Sequence, residues 1–284
     1  PRGTPGQVEP VRCKCRGDAR VAAVRSGAEA GVNCVGLMGE KGANTFDAIQ
    51  TEGAGRIARI AAEQGIETLV HLSAIGADAE SASAYARTKA EGEANVLAHM
   101  PKAVILRPSV IFGAEDGFFN RFASMSRMGP ILPIVGGNTK FQPVYVDDVA
   151  QAAVLAVQGK AEPGVYELGG ADVNTLRELI DHMLTVIHRR KLVMNLPFWM
   201  ARIDAALFEL ASKLSLGLFT APLTRDQVTL LAKDNVVSDG ARGLADLGIK
   251  PVALEAVLPD YLWRFRPSGQ YDAIKDSAKN LKIS

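Results

Sequence analysis

The chain has little cysteine, few aromatics and almost no net charge. Cys13, Cys15 and Cys34 are its 3 cysteines in 284 residues. They are too few and too irregularly placed for a disulfide framework, and a reducing, intracellular setting is the expectation. Cys13 and Cys15 alternate along a strand-like run and would face one side, but no further ligands accompany them. The 4 histidines, His71, His99, His182 and His188, do not cluster at zinc spacing, so no metal site is expected and each histidine reads as a surface or packed residue. A formal charge of +1 supplies no field that would steer the chain to nucleic acid or an anionic surface, and no nucleic-acid partner is expected. No uninterrupted apolar run is long enough to span a bilayer, and no signal peptide is visible. Also missing is a G-x-x-G-x-x-G turn ahead of a helix: Pro1-Arg-Gly-Thr-Pro-Gly6 runs straight into a strand-like Gln7–Cys15.

What is present alternates strand and helix, the pattern of a parallel α/β sheet. Asp18 is placed to cap a short helix carrying Val21 and Val24. Val32–Gly36 reads as a strand. Phe46, Ile49, Gly53, Ile57 and Ile60 recur at helical steps. Strands are predicted at Thr68–Leu72, Ala103–Leu106, Phe141–Val146 and Val165–Leu168, and helices around Tyr85 and over Phe118–Met128. Asp147 is placed to cap the Ala-rich helix behind it. Thr175-Leu-Arg-Glu178 fits a capping box before a helix to about His188. The fold class predicted is α/β, a Rossmann-like doubly wound parallel sheet whose first β-α unit is missing from the sequence, with a smaller, mainly helical C-terminal lobe. Such an opening unit takes roughly 30 residues or more. The expected division is 1–160 for the nucleotide-binding domain and 161–284 for the C-terminal lobe, interleaved with the first.

The Leu196–Leu218 segment is apolar and aromatic. On a helical wheel Arg202, Glu209 and Lys213 share one side, leaving a wide face with Trp199, Ile203, Leu207, Leu210 and Leu214. Two readings stand: a core helix of the lobe, or a helix lying on a membrane surface or hydrophobic partner. The aromatic and arginine-rich Tyr261–Tyr271 is likewise either a packed terminus or an interface anchor.

Chemistry concentrates in three consecutive elements. Ser73 ends one predicted strand, Tyr85-Ala-Arg-Thr-Lys89 occupies the next helix, and Arg107-Pro108-Ser109-Val110-Ile111-Phe112-Gly113 follows the next strand. Tyr85 and Lys89 lie one turn apart on one helix face. An ammonium beside the phenol would favour the phenolate and lower its pKa, the way a tyrosine becomes an acid/base near neutral pH. This order resembles the core of the short-chain dehydrogenase/reductase superfamily, extended or atypical branch. The resemblance implies catalytic roles for Ser73, Tyr85 and Lys89 if the chain is active. It also implies cofactor contacts from Val35, Gly36, Ser73, Tyr85, Lys89, Pro108, Ser109 and Ile111, at the carboxyl ends of parallel strands. Gln50, in Gln50-Thr-Glu-Gly53, stands where catalytic relatives carry a relay Asn.

Longer stretches narrow the resemblance. Ser83–Glu93, Leu106–Asp116 with Phe119-Asn-Arg-Phe-Ala-Ser124, Phe141–Val149, and Leu223-Thr-Arg-Asp-Gln-Val228 with Asp234-Asn-Val-Val237 together resemble the dehydrogenase-like accessory subunits of respiratory complex I (NADH:ubiquinone oxidoreductase), in their bacterial form. That resemblance implies a non-catalytic subunit binding NADP(H), with NAD possible. Its partners would be the peripheral-arm and quinone-site subunits, on the cytoplasmic face of the bacterial inner membrane or the mitochondrial matrix face, with lipid contact through the Leu196–Leu218 helix. The alternative is an active NAD(P)-dependent reductase or epimerase using Ser73, Tyr85 and Lys89.

Overall fold

A computed structural model describes residues 11, 13, 17, 18, 21, 27–215 and 221–267. In chain order these form β1 (Ala30–Asn33), a π-helical turn (Asp47–Thr51), α1 (Glu52–Glu63), β2 (Thr68–Leu72), α2 (Ala84–His99), β3 (Val104–Pro108), β4 (Ile111–Phe112), α3 (Phe119–Met125), β5 (Ile131–Val135), β6 (Lys140–Phe141), β7 (Val144–Tyr145), α4 (Val146–Val157), β8 (Gly164–Leu168), β9 (Asn174–Thr175), α5 (Leu176–Val186), β10 (Leu192–Leu196), α6 (Phe198–Leu214), α7 (Arg225–Leu230) and α8 (Leu254–Leu262). The predicted strand Gln7–Cys15 and most of the predicted helix around Val21 and Val24 lie outside the described residues. Two compact units interleave along the chain: 1–106 with 153–165, and 107–152 with 166–284. The chain thus passes between the units after residues 106, 152 and 165, within β3, α4 and β8.

The first unit is built on a sheet of order β1-β2-β3-β8. Its β1–β2 and β2–β3 pairs are parallel, with Asn33 opposite His71 and His71 opposite Ile105. Parallel neighbours need crossover helices, and α1 and α2 supply them. Small residues let these helices approach closely: Ala54, Ala58 and Ala61 of α1 are buried with Ile57 and Ile60 against Leu69, Val96, Met100 and Ile105. The predicted stripe Phe46, Ile49, Gly53, Ile57, Ile60 is buried throughout. The predicted strand Val32–Gly36 instead ends at Asn33. The Asn33 side-chain oxygen accepts the Val35 N–H at 3.1 Å, a local bond that competes with continuing the ladder.

Gly92 of α2 marks the tightest approach. A β-carbon there would lie 2.2 Å from the carbonyl oxygen of Gln50. Gly92→Ala is therefore expected to destabilise the fold by about 2 kcal/mol net, overpacking outweighing the gain in helix propensity. Gly129→Ala, with open space around it, should be near neutral. Urea denaturation of both variants checks this.

The second unit buries Phe112, Phe119, Leu132, Ile134, Phe141, Leu176, Leu179, Ile180, Met183, Leu258 and Leu262 in one core. Thr175 and Glu178 form the capping box predicted for α5. That helix stops at Val186, with His188 in the left-handed region at φ 54°, short of the predicted end. The predicted strand Phe141–Val146 divides at Gln142-Pro143, since proline cannot donate to a ladder: β6 pairs with β9, and β7 with β4. Asp147 sits inside the first turn of α4, which opens at Val146. The two-stranded parallel pair β5–β10 leads directly into α6. This helix packs on its own unit through Ala201 and Ala205, against Val135 and Val228.

Candidate functional site

In the first unit, Ser83 starts α2 by accepting the Ala86 N–H at 3.3 Å, a side-chain cap. Tyr85 and Lys89 then fall on one face of the helix. The Lys89 ammonium stands 6.0 Å from the centroid of the Tyr85 ring and donates to the Leu72 carbonyl at the end of β2, 3.2 Å away. A β-carbon added to Gly36 would lie 3.3 Å from the same nitrogen. Lys89 thus lies beside the turn after β1 and is bonded to the end of β2. Phe46 meets the Tyr85 ring edge-on at 5.9 Å.

Ser73 follows β2 and is buried. Its N–H donates to the Leu106 carbonyl at 2.7 Å, while its hydroxyl oxygen is enclosed without a partner among the described residues. Asn33 bridges the ends of β1 and β2 by donating to His71 Nδ1 at 2.9 Å, which puts the imidazole proton on Nε2. That nitrogen is also buried and unpartnered among the described residues. A buried polar atom left unmade is costly, so the Ser73 hydroxyl marks a place where a ligand atom gains a hydrogen bond.

Electrostatics here are governed by burial. Tyr85 is pushed up to about 12 by desolvation, contrary to the lowering expected from Lys89. The ammonium is itself pushed down to about 8, chiefly by burial, and it is turned to the Leu72 carbonyl. Tyr85 is therefore a neutral phenol at physiological pH. His71 is pushed down to about 4, by burial first and by Lys89 second, and stays neutral. Cys34 is raised by burial against a smaller lowering by Lys89. Because the folded pKa of His71 lies below its ordinary 6.5, the unfolded chain takes the proton first on acidification. Stability should fall between pH 6.5 and about 4, on the order of 3 kcal/mol from this group. Denaturation of wild type and His71→Asn across that window checks it, the variant losing less.

Among the residues expected at the site, Gly36, Tyr85 and Lys89 are brought together, with Ser73 directly after the Leu72 carbonyl. Val35 is half-buried against the helix–sheet core. The others belong to the second unit. Pro108 closes β3. The Ser109 hydroxyl donates to Asn235 Oδ1 at 2.6 Å, and its N–H to the Leu168 carbonyl at 2.9 Å. Ile111 pairs with Val144 in β4–β7. Sequence reasoning missed the polar groups around Lys89, namely Asn33, His71 and Thr88. A histidine two residues before Ser73 in a buried strand was the available signal. Among the described residues no group of histidine, cysteine and carboxylate side chains is placed to hold a metal.

The RmlD substrate binding domain model matches residues 37–195. The chain is 34% identical over 273 residues to the mitochondrial NADH dehydrogenase [ubiquinone] 1 alpha subcomplex subunit 9 of Arabidopsis thaliana, covering 94% of this chain and 68% of that protein. It is 34% identical over 213 residues to the Mus musculus protein of the same name, covering 74% of this chain and 55% of that one. The second relative is thus spanned over little more than half its length. Among solved structures, DesIV, a dTDP-glucose 4,6-dehydratase from Streptomyces venezuelae with NAD and TYD bound, superposes with a TM-score of 0.66 at 18% identity, over 94% of this chain and 83% of that one. That likeness carries the fold. The chain, whose fold is a Rossmann-like parallel sheet with helices, belongs to the family of NADH dehydrogenase [ubiquinone] 1 alpha subcomplex subunit 9.

Proposed function

We propose that the chain is a non-catalytic accessory and assembly subunit of NADH:ubiquinone oxidoreductase, complex I, that holds NADP(H) as a structural ligand. The sequence likeness to the Arabidopsis thaliana subunit over 94% of the chain supports membership of complex I. The observation that carries the holding role is the partial burial of Tyr85 against Phe46, with desolvation raising the phenol to about 12. A phenol there is a poor proton donor, because burial disfavours the phenolate it would leave behind. Lys89 would bind ribose hydroxyls with the ammonium hydrogens not given to Leu72, and the Ser73 hydroxyl would take up a polar atom of the ligand. Gly36 leaves room for its backbone approach. A nicotinamide dinucleotide supplies hydride chemistry when bound; the residues here favour retention over use. We read the nucleotide as NADP(H), with NAD as the other candidate, and the chain as the bacterial form.

We place the subunit peripherally, on the peripheral arm near the quinone site and on the matrix or bacterial cytoplasmic face. Among the described residues no helix is long and apolar enough to cross a membrane. The outer face of α6 supports a lipid or hydrophobic-partner contact: Trp199, Ile203, Leu207, Leu210 and Leu214 are exposed. Ile131 and Leu192, paired in β5–β10, and Met194 beside them are exposed as well. The test is to purify the native protein, release its ligand with acid or base, and identify it by mass spectrometry. One NADP(H) per chain, unconsumed on incubation, supports the reading. A nucleotide oxidised or reduced in step with a substrate, in a reaction lost in Tyr85→Phe, would favour the reductase instead.

A further inference from the structure

The amide of Gln50 connects two parts of the site that no regular secondary structure joins. Gln50 lies in the π-helical turn and is 2% exposed. Its Nε2 donates to the Leu37 carbonyl at 2.8 Å, in the turn that carries Val35 and Gly36. Its Oε1 meets the Thr88 hydroxyl at 3.1 Å, on α2 immediately before Lys89. The orientation of the amide follows from Leu37, whose carbonyl can only accept, so Oε1 faces Thr88, and in that bond the Thr88 hydroxyl is the donor. That hydroxyl also lies 2.8 Å from the Ala84 carbonyl, a local acceptor that competes for the same proton. The turn is held to α2 at further points. The Asn95 amide donates to the Thr51 carbonyl at 3.2 Å, Thr51 reaches the Thr88 carbonyl at 3.3 Å, and Gly92 admits the Gln50 carbonyl where a β-carbon would clash. A π-helical insertion shifts the side chains beyond it, and such insertions recur at functional sites.

We propose that Gln50 is a positioning residue that locks the 35–37 turn to the Tyr85–Lys89 face of α2 and thereby sets how long a bound dinucleotide stays. This rests on the nucleotide-holding role proposed above and adds a residue to it. Each end of the amide meets a protein partner, so the side chain is a clamp, and Gly36 is kept within reach of Lys89 by a link that runs from Leu37 through Gln50 to Thr88 on the helix that bears Lys89. When the clamp opens, the turn is free to lift from Lys89, and a ligand held between them gains an exit.

The two halves of the clamp can be cut separately. Gln50→Glu replaces the donor to Leu37 with an acceptor while keeping shape and the Thr88 bond. Thr88→Val removes the hydroxyl and keeps its volume, and Thr88→Ser restores the donor. The experiment follows release of the endogenous nucleotide from the full-length protein, purified in its native assembly, after dilution into excess labelled NADPH, well below the melting temperature. Gln50→Glu and Thr88→Val are each expected to speed release about tenfold, the effect of one buried hydrogen bond, while Thr88→Ser stays within about twofold of wild type. A general loss of packing would not be reversed by the hydroxyl of Thr88→Ser. Should Gln50→Glu not accumulate, Thr88→Val carries the test alone. Wild-type protein that holds nucleotide, with release unchanged in the variants, overturns the clamp and leaves the holding role standing. Wild-type protein without nucleotide overturns the holding role and the clamp with it.

Discussion

Lys89→Met is expected to cost the protein its nucleotide and, at the same time, to make the nucleotide-free chain more stable at neutral pH. The two effects share one cause. Lys89 is 6% exposed, and its ammonium has a single hydrogen-bond acceptor among the described residues, the Leu72 carbonyl. Burial lowers its pKa from 10.5 to about 8. A folded-state value below the unfolded one means that the charged form is penalised by folding. The penalty is fully present below about pH 8, is relieved between about 8 and 10.5 as the folded chain gives up its proton first, and is absent above 10.5. Removing the charge with an isosteric apolar chain should therefore add on the order of 2 kcal/mol at pH 7, after allowing for the lost bond to Leu72. The gain should shrink toward pH 10.5. Nucleotide retention should move the other way, by about 100-fold, since hydrogen bonds from a charged donor contribute about 1.5–3 kcal/mol each. Tyr85→Phe should keep retention within about threefold. Such opposition between stability and ligand holding is expected where a site keeps an unfavourable group for its function. Denaturation against pH, together with nucleotide content per chain, reads both effects. Equal retention in Lys89→Met and Tyr85→Phe would remove Lys89 from the ligand.

The second large effect concerns α6. Its two sides differ: Ala201 and Ala205 are fully buried in the second unit, whereas Trp199 is 63% and Leu214 is 76% exposed. Glu209 is tied to Arg225 at 2.9 Å, and Arg202 is exposed; the side chain of Lys213 lies outside the described residues. Apolar side chains left in water forgo about 1.5–3 kcal/mol each that burial would return, and a continuous exposed row of them points to a missing cover. The double variant Leu207→Asp with Leu210→Asp should leave the isolated protein's melting temperature within a few degrees, because both residues are more than half exposed. It should lower recovery of the chain with the respiratory membrane fraction at least tenfold. Ala205→Asp, on the inner side, should unfold the lobe instead. Undiminished recovery of the double variant would assign the face to something other than membrane or assembly contact.

Legibility in the sequence divides along physical lines. Features set by short periods were readable. Thr68–Leu72 is a strand from its pattern alone, Thr175 and Glu178 cap α5 because the box is local, and Tyr85 and Lys89 share a face because the helix repeats. The fold class followed from the alternation of such elements. Features set by pairing at a distance were not readable. Asn33 and His71 stand 38 residues apart, and Ser109 reaches Asn235 across 126. Nothing local foretells that the Ser109 hydroxyl serves its own unit. The π-helical turn is likewise set by contact with α2 rather than by its own residues. The direction of the Tyr85 shift illustrates the same limit. A sequence shows that a cation is near, but how much water the phenol loses depends on Phe46 and the surrounding core. Here desolvation outweighs the neighbouring charge.

Native separation of mild-detergent membrane extracts, probed with an antibody to this chain and an in-gel NADH-oxidation stain, tests the central claim most directly. Co-migration of the chain with the large NADH-oxidising band, carrying NADP(H) that can be extracted from it, is the expected result. Migration of the chain as a free monomer or small oligomer, with the NADH-oxidising band intact and active without it, would contradict the account.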